Sequence, residues 1–136
     1  MLDLSSMEKA VNALDVALDI YDRNPLPADA PEKVVLRDGV IQRFEFTYEL
    51  SWKMLKRYLE EYGLERPDRL SNRDLFRVGY EQELLDDPEE WFLYLRMRNL
   101  TSRAYDEAKA TQVFQAARRF LADVKVFFER LKAKNV

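Results

Sequence analysis

Two stretches of the chain carry polar side chains at spacings that chemistry could use. One is Arg98-Asn99-Leu100-Thr101-Ser102-Arg103-Ala104-Tyr105-Asp106-Glu107. On a continuous helix, Arg98, Thr101, Ser102 and Tyr105 stand at i, i+3, i+4 and i+7 and share a face. A guanidinium beside two hydroxyls and a phenol makes a phosphate-facing surface, because arginine offers phosphate oxygens a rigid fork of donors. The other reading of the same residues is a polar helix junction, with Arg103 paired to Asp106 or Glu107. The second stretch runs from Arg37 to Lys53. Arg43, Phe46, Thr47 and Leu50 fall on one side of a helix there, while Glu45, Glu49 and Lys53 follow a four-residue step and would pair along the surface. Its structural reading is a core helix with solvated ion pairs, in which Phe44 and Trp52 are core residues.

What the chain lacks is equally informative. It has no cysteine and no histidine. Disulfides and thiolate chemistry are excluded, and so are the commonest metal ligand and the side chain best suited to proton transfer near neutral pH. No metal site and no cofactor are expected. With 25 acidic and 22 basic residues the net charge is −3, which argues against broad electrostatic attraction to nucleic acid or anionic membrane while leaving room for a local basic patch. No apolar run approaches the ~18 residues of a membrane span, and no signal-peptide layout opens the chain, so a cytoplasmic location with no membrane partner is the expectation.

The elements that must position these residues read as helices throughout. Leu4, Met7, Val11, Leu14, Leu18 and Tyr21 form one apolar stripe. Ser5 and Glu8 have the spacing of a capping box, with Asp3 as an earlier start, and Asn24-Pro25-Leu26-Pro27 ends the helix. A long helix from about Glu32 to Tyr62 carries a main stripe of Ile41, Phe44, Tyr48, Trp52, Leu55, Leu59 and Tyr62. Phe46, Leu50 and Met54 lie on a second line, and Gly63 is placed as a C-terminal cap. A linker from Glu65 to Leu70 contains Pro67. Ser71 with Asp74 starts a short helix to about Tyr80, and Asp87-Pro88-Glu89-Glu90 starts another that runs through Trp91, Phe92 and Leu95 towards Arg98. The last helix, from about Asp106 to Lys134, has a heptad of Ala110, Phe114, Ala117, Leu121, Val124, Phe128 and Leu131, with Val113, Phe120 and Phe127 as a second line. The 136 residues suit one all-α domain, an up-and-down four-helix bundle with one additional short helix. The surplus apolar lines on the second and last helices imply a homodimer.

The run Leu36 to Leu59, centred on Arg43-Phe44-Glu45-Phe46-Thr47-Tyr48-Glu49-Leu50-Ser51-Trp52-Lys53, resembles the signature of nucleotidyltransferase substrate-binding proteins, small subunits of the HEPN superfamily. Trp91 through Glu107, Asn72-Arg73-Asp74 and Leu84-Leu85-Asp86-Asp87 match the same family, so the resemblance covers nearly the whole chain. It implies a homodimeric bundle that associates with a separate minimal nucleotidyltransferase, which carries the metal-binding carboxylates and the nucleotide site. Many such pairs look like toxin–antitoxin modules. The helical member can be a metal-independent ribonuclease with an arginine, a histidine a few residues on, and a nearby tyrosine that the partner modifies with adenylate. Here the arginine maps to Arg98 and the tyrosine to Tyr105, while Arg103 occupies the histidine position. Proton transfer in RNA cleavage needs a base, and an arginine side chain keeps its proton near neutral pH. The resemblance therefore implies an accessory subunit that binds nucleotide or RNA phosphate through Arg98, Asn99, Thr101, Ser102, Arg103 and Tyr105. A weakened ribonuclease is the alternative.

Overall fold

In a computed structural model, which describes residues 1–63 and 66–135, five α-helices and two short 3-10 turns account for the secondary structure, with no strand among the described residues. The helices are α1 (Ser5–Arg23), α2 (Pro31–Tyr62), α3 (Asn72–Glu81), α4 (Pro88–Leu100) and α5 (Glu107–Lys134). The all-helical bundle read from periodicity is what the chain builds. None of the described helices is long and apolar enough to cross a membrane.

Most helix ends follow local chemistry. Ser71 caps α3 by accepting a hydrogen bond from the Asp74 amide, 3.2 Å away. Asp87 caps α4 through the Glu89 amide at 3.0 Å, with Pro88 in the first position, where its missing N–H costs nothing. The start of α1 differs from the expected capping box. Ser5 is already helical, Leu4 occupies the cap position with no side-chain bond, and it is Asp3 that accepts from the Ser5 amide at 3.0 Å. Gly63 does follow α2, yet with φ −88° and ψ 169°. Its lack of a side chain matters through space, since a Cβ there would sit 2.7 Å from the Leu59 carbonyl oxygen. Of the expected Glu65–Leu70 linker, residue 65 lies outside the described residues, and Pro67–Arg69 form a 3-10 turn.

The four longer helices pack α1 on α2, α2 on α5, α5 on α4 and α1 on α5, with α3 laid against α2 and α4. One connected core draws on all five helices. Its centre is aromatic. Phe120 on α5 stands 5.1 Å from Phe44, 5.1 Å from Tyr94, 5.5 Å from Trp91 and 6.3 Å from Tyr48. Three of these contacts are near edge-on, the arrangement favoured by ring quadrupoles.

Both apolar lines of α5 are consumed by this core. Val113, Phe120 and Phe127 are fully buried, and so are Ala110, Ala117, Val124 and Leu131, while Phe114 and Leu121 pack at its margin. The surplus surface expected on the last helix is therefore internal. Helices α1, α2 and α4 all pack against α5, more neighbours than a two-helix contact would have supplied. Exposed apolar side chains gather elsewhere: Val16 and Ile20 on α1, and Val35 and Phe46 on α2. Ala13, Ala17, Leu36 and Gly39 join Val16, Ile20 and Val35 in lining a shallow groove of about 520 Å³ between those two helices.

The α1–α2 turn is closed by a lysine. Lys33 is buried, and its Nζ donates to the carbonyls of Tyr21 (2.5 Å) and Asn24 (2.6 Å) at the C-terminal end of α1. A cation at that end satisfies orphan carbonyls and complements the helix dipole.

Candidate functional site

The Arg98–Tyr105 segment is not one helix. Helix α4 stops at Leu100, Thr101–Arg103 form a 3-10 turn, and Asp106 opens α5 by accepting from the amides of Ala108 (3.0 Å) and Lys109 (3.2 Å). Two neighbouring features disfavour continuing the helix. Thr101 Oγ1 donates to the Arg98 carbonyl at 2.7 Å, and the Asp106 cap requires extended backbone at φ −85°, ψ 119°. The four residues placed on one face by a 3.6 period are accordingly redistributed.

Arg98 turns back onto α2, where its Nε lies 2.5 Å from Glu49 Oε1. The contact is a charge pair without the alignment of a hydrogen bond. Glu49 also accepts from Trp52 Nε1 at 3.1 Å. Below this pair the Tyr48 hydroxyl is buried with no hydrogen-bond partner, and burial together with the Glu49 carboxylate pushes its pKa up. Arg98 is thus committed to Glu49 before any ligand arrives.

Arg103 and Tyr105 are not committed. Arg103 is exposed, and its side chain joins no hydrogen bond or ion pair among the described residues. The carboxylates offered to it by sequence are taken. Asp106 caps α5 and faces Lys109 at 3.6 Å. Glu107 receives Arg37 Nη1 at 2.6 Å and Nη2 at 3.3 Å, and this guanidinium holds its carboxyl below the ordinary range. Tyr105 is 86% exposed. It borders a groove of about 390 Å³ with Thr101 and Ala104 on one side and Asp38, Ile41, Gln42 and Glu45 of α2 on the other. Asp38 and Gln42 were missed from sequence. Their signal is the step Asp38, Gln42, Glu45 (i, i+4, i+7), which becomes readable once the face of α2 opposite Tyr105 is known.

The remaining sequence candidates scatter. Ser102 is exposed on the 3-10 turn, and Asn99 faces a different groove, between α4 and α5. On α2, Glu45 borders the Tyr105 groove and Glu49 holds Arg98, but Thr47 is buried and donates to its own helix at Arg43 (2.7 Å) and to Ala10 of α1 (3.2 Å). Arg43 donates to the Gly39 carbonyl at 3.1 Å, and Lys53 lies 5.9 Å above the Trp52 ring instead of pairing with Glu49. The expected Glu45–Glu49–Lys53 ladder does not form because Glu49 is drawn to Arg98. No group of three or more Asp and Glu side chains among the described residues is arranged to hold a metal ion.

The exposed Tyr105 phenol and the unpaired Arg103 guanidinium stand at the junction of α4 and α5, with the Asp38 and Glu45 carboxylates of α2 across the groove from Tyr105. The particular family follows from comparison. Residues 2–133 match the family described as nucleotidyltransferase substrate binding protein like, and the chain belongs to it. It is 34% identical to a Haemophilus influenzae protein named probable ribonuclease HepT, over 98% of this chain and 94% of that protein. Among solved structures, it resembles a Haemophilus influenzae structure described as the fold of a substrate binding domain of a nucleotidyltransferase. The TM-score is 0.83 and identity 30%, covering 96% of this chain and 99% of the other. A Thermus thermophilus structure aligns with a TM-score of 0.71 at 31% identity, over 90% and 98% of the two chains.

Proposed function

We propose that the chain is a non-catalytic accessory subunit that docks a separate minimal nucleotidyltransferase and presents Tyr105 to it as the acceptor of an adenylate. The observation that carries this reading is the exposure of Tyr105 on a turn beside unpaired Arg103, in a sequence with no histidine. In the transfer, the Tyr105 phenol oxygen bonds to the α-phosphorus of ATP, the bond to pyrophosphate breaks, and the phenol proton passes to a base of the partner. Arg103 would steady the phosphate without moving a proton. Arg98 contributes less than its sequence position implies, because Glu49 competes for its guanidinium.

The test is to incubate the protein with the nucleotidyltransferase encoded beside it, ATP and Mg²⁺, and to follow intact mass. One or more adenylates on the wild type and none on Tyr105→Phe support the reading. Failure of the two proteins to associate, or equal modification of Tyr105→Phe, ends it. The pair would then not act as a toxin–antitoxin-like module of this kind.

The exposed apolar residues of α1 and α2 support a homodimer seam on those two helices, in place of the α2 and α5 lines expected from sequence. Val35→Glu should convert a sedimenting dimer into a monomer, and a wild type that sediments as a monomer overturns the assignment.

The name of the Haemophilus relative favours a second reading, an RNA-cleaving enzyme. Cleavage of RNA by the pure protein that disappears in Arg98→Ala would replace the accessory-subunit reading. Loss of a general base typically costs ~100- to 10,000-fold, so any cleavage should be slow.

A further inference from the structure

The back of the same helix hairpin carries a groove that the Tyr105 site does not use. It is about 570 Å³ and lies between α4 and α5. Its apolar residues are Leu93, Met97 and Leu100 of α4. Arg96 and Arg119 stand on opposite walls, and the carboxamides of Asn99, Gln112 and Gln115 complete it. No carboxylate lines it, although acidic residues outnumber basic ones 25 to 22 in the chain. Arg96 enters no ion pair among the described residues. Arg119 reaches only Glu90, at 4.0 Å and with both side chains about half exposed, a contact that another carboxylate could replace.

We infer that this groove docks an acidic amphipathic helix from a partner protein. Leu93, Met97 and Leu100 stand at i, i+4 and i+7 and run along about 10 Å of α4, which matches two turns of an opposing helix. Aliphatic and methionine side chains with flanking arginines are the composition of protein-docking surfaces. Single-stranded nucleic acid fits less well, because no aromatic ring lines the groove for a base to stack on and only two cations face it. The two arginines select carboxylates on the incoming helix, and the three carboxamides can bond its polar flank. The groove shares no lining residue with the one beside Tyr105.

The test rests on the proposed function, since it uses the nucleotidyltransferase encoded beside the chain as the probe. Affinity is measured by calorimetry for the wild type, for the Arg96→Glu/Arg119→Glu double variant, and for Arg103→Ala, with thermal melts to verify folding. Arg119→Glu also sets a carboxylate against Glu90, so the melts are what establish that the double variant is folded. Arg96→Glu alone, at an exposed arginine with no ion pair among the described residues, provides a second variant that should melt like the wild type. The expected result is a loss of at least about 100-fold in affinity for the double variant, against a small change for Arg103→Ala. The wild-type affinity should also weaken as salt rises. Wild-type binding unchanged in a folded double variant overturns the docking surface and leaves the accessory-subunit reading standing. Absence of wild-type binding removes that reading and this one together. If the double variant instead loses only RNA binding, or shifts only the sedimentation of the chain alone, the groove belongs to nucleic acid or to a second copy, and the inference is wrong.

Discussion

The aromatic centre and the α4–α5 junction both draw on helices α4 and α5 and obey opposite rules. In the centre, Phe44, Tyr48, Trp91, Tyr94 and Phe120 are almost completely buried and pack ring on ring, so each side chain is fixed by many neighbours. At the junction, the helix is interrupted by a 3-10 turn, Asp106 restarts it, and Arg103 and Tyr105 project into solvent with few contacts. Packing energy accumulates in the first region, and chemical availability accumulates in the second. A protein that presents a side chain needs both: a rigid hairpin to hold the turn, and a turn free of internal partners.

This contrast can be broken most forcefully at its rigid end. Phe120→Ala should cost about 3–5 kcal/mol, read as the shift in urea midpoint, because it empties the space shared by four rings. A loss below about 1 kcal/mol would mean that the centre is less tightly packed than its geometry says. Tyr48→Phe probes the border between the regions. Removing a buried hydroxyl that has no partner should leave stability unchanged or raise it by up to about 1 kcal/mol. A clear loss would show that the hydroxyl is satisfied in solution.

A smaller effect is expected at the cap. Hydrogen bonding from the Lys109 and Ala108 amides lowers the Asp106 pKa from its ordinary 3.8. A depressed carboxylate contributes stability that is complete above its unfolded pKa and is lost as pH falls from that value through the lower folded one. Asp106→Asn keeps a capping oxygen and removes the titration. Melts at pH 5 and pH 3 should therefore differ less in the variant than in the wild type, and equal acid sensitivity would assign the effect to other carboxylates. The smallest change in stability belongs to Tyr105→Phe, within about 0.5 kcal/mol of wild type, since almost all of that side chain is already in water. A larger loss would tie the phenol to the fold and weaken the proposal that it is an acceptor.

The helices themselves were readable from sequence to within a residue or two, because their signals are local. Proline after Asn24, serine at 71, Asp87-Pro88 and Asp106 act on amides within a turn of themselves. The cap that failed is the first: Leu4 stands where the Ser5 box was expected, and Asp3 accepts from the Ser5 amide. Lys33, which no local pattern singles out, adds bonds to the end of α1 from another helix. The site was legible in its residue types and much less so in their grouping. A 3.6 period places Arg98 beside Tyr105 only while the helix continues, and the threonine and the aspartate cap end it between them.

Composition alone determined that no histidine or cysteine could supply acid–base or thiol chemistry, and periodicity alone determined an all-helical chain. The tertiary structure decided which charges were spent. Glu49 took Arg98 and Glu107 took Arg37, leaving Arg103 unpaired, and Asn99 turned to the opposite groove. The same packing turned the surplus apolar lines of α5 inward and split that of α2, burying Met54 and leaving Phe46 exposed. The physical reason is range. Hydrogen bonds at helix ends and the helical period act over one turn, whereas ion pairs and burial join residues tens of positions apart, such as Glu49 and Arg98, that only the packed helices bring together.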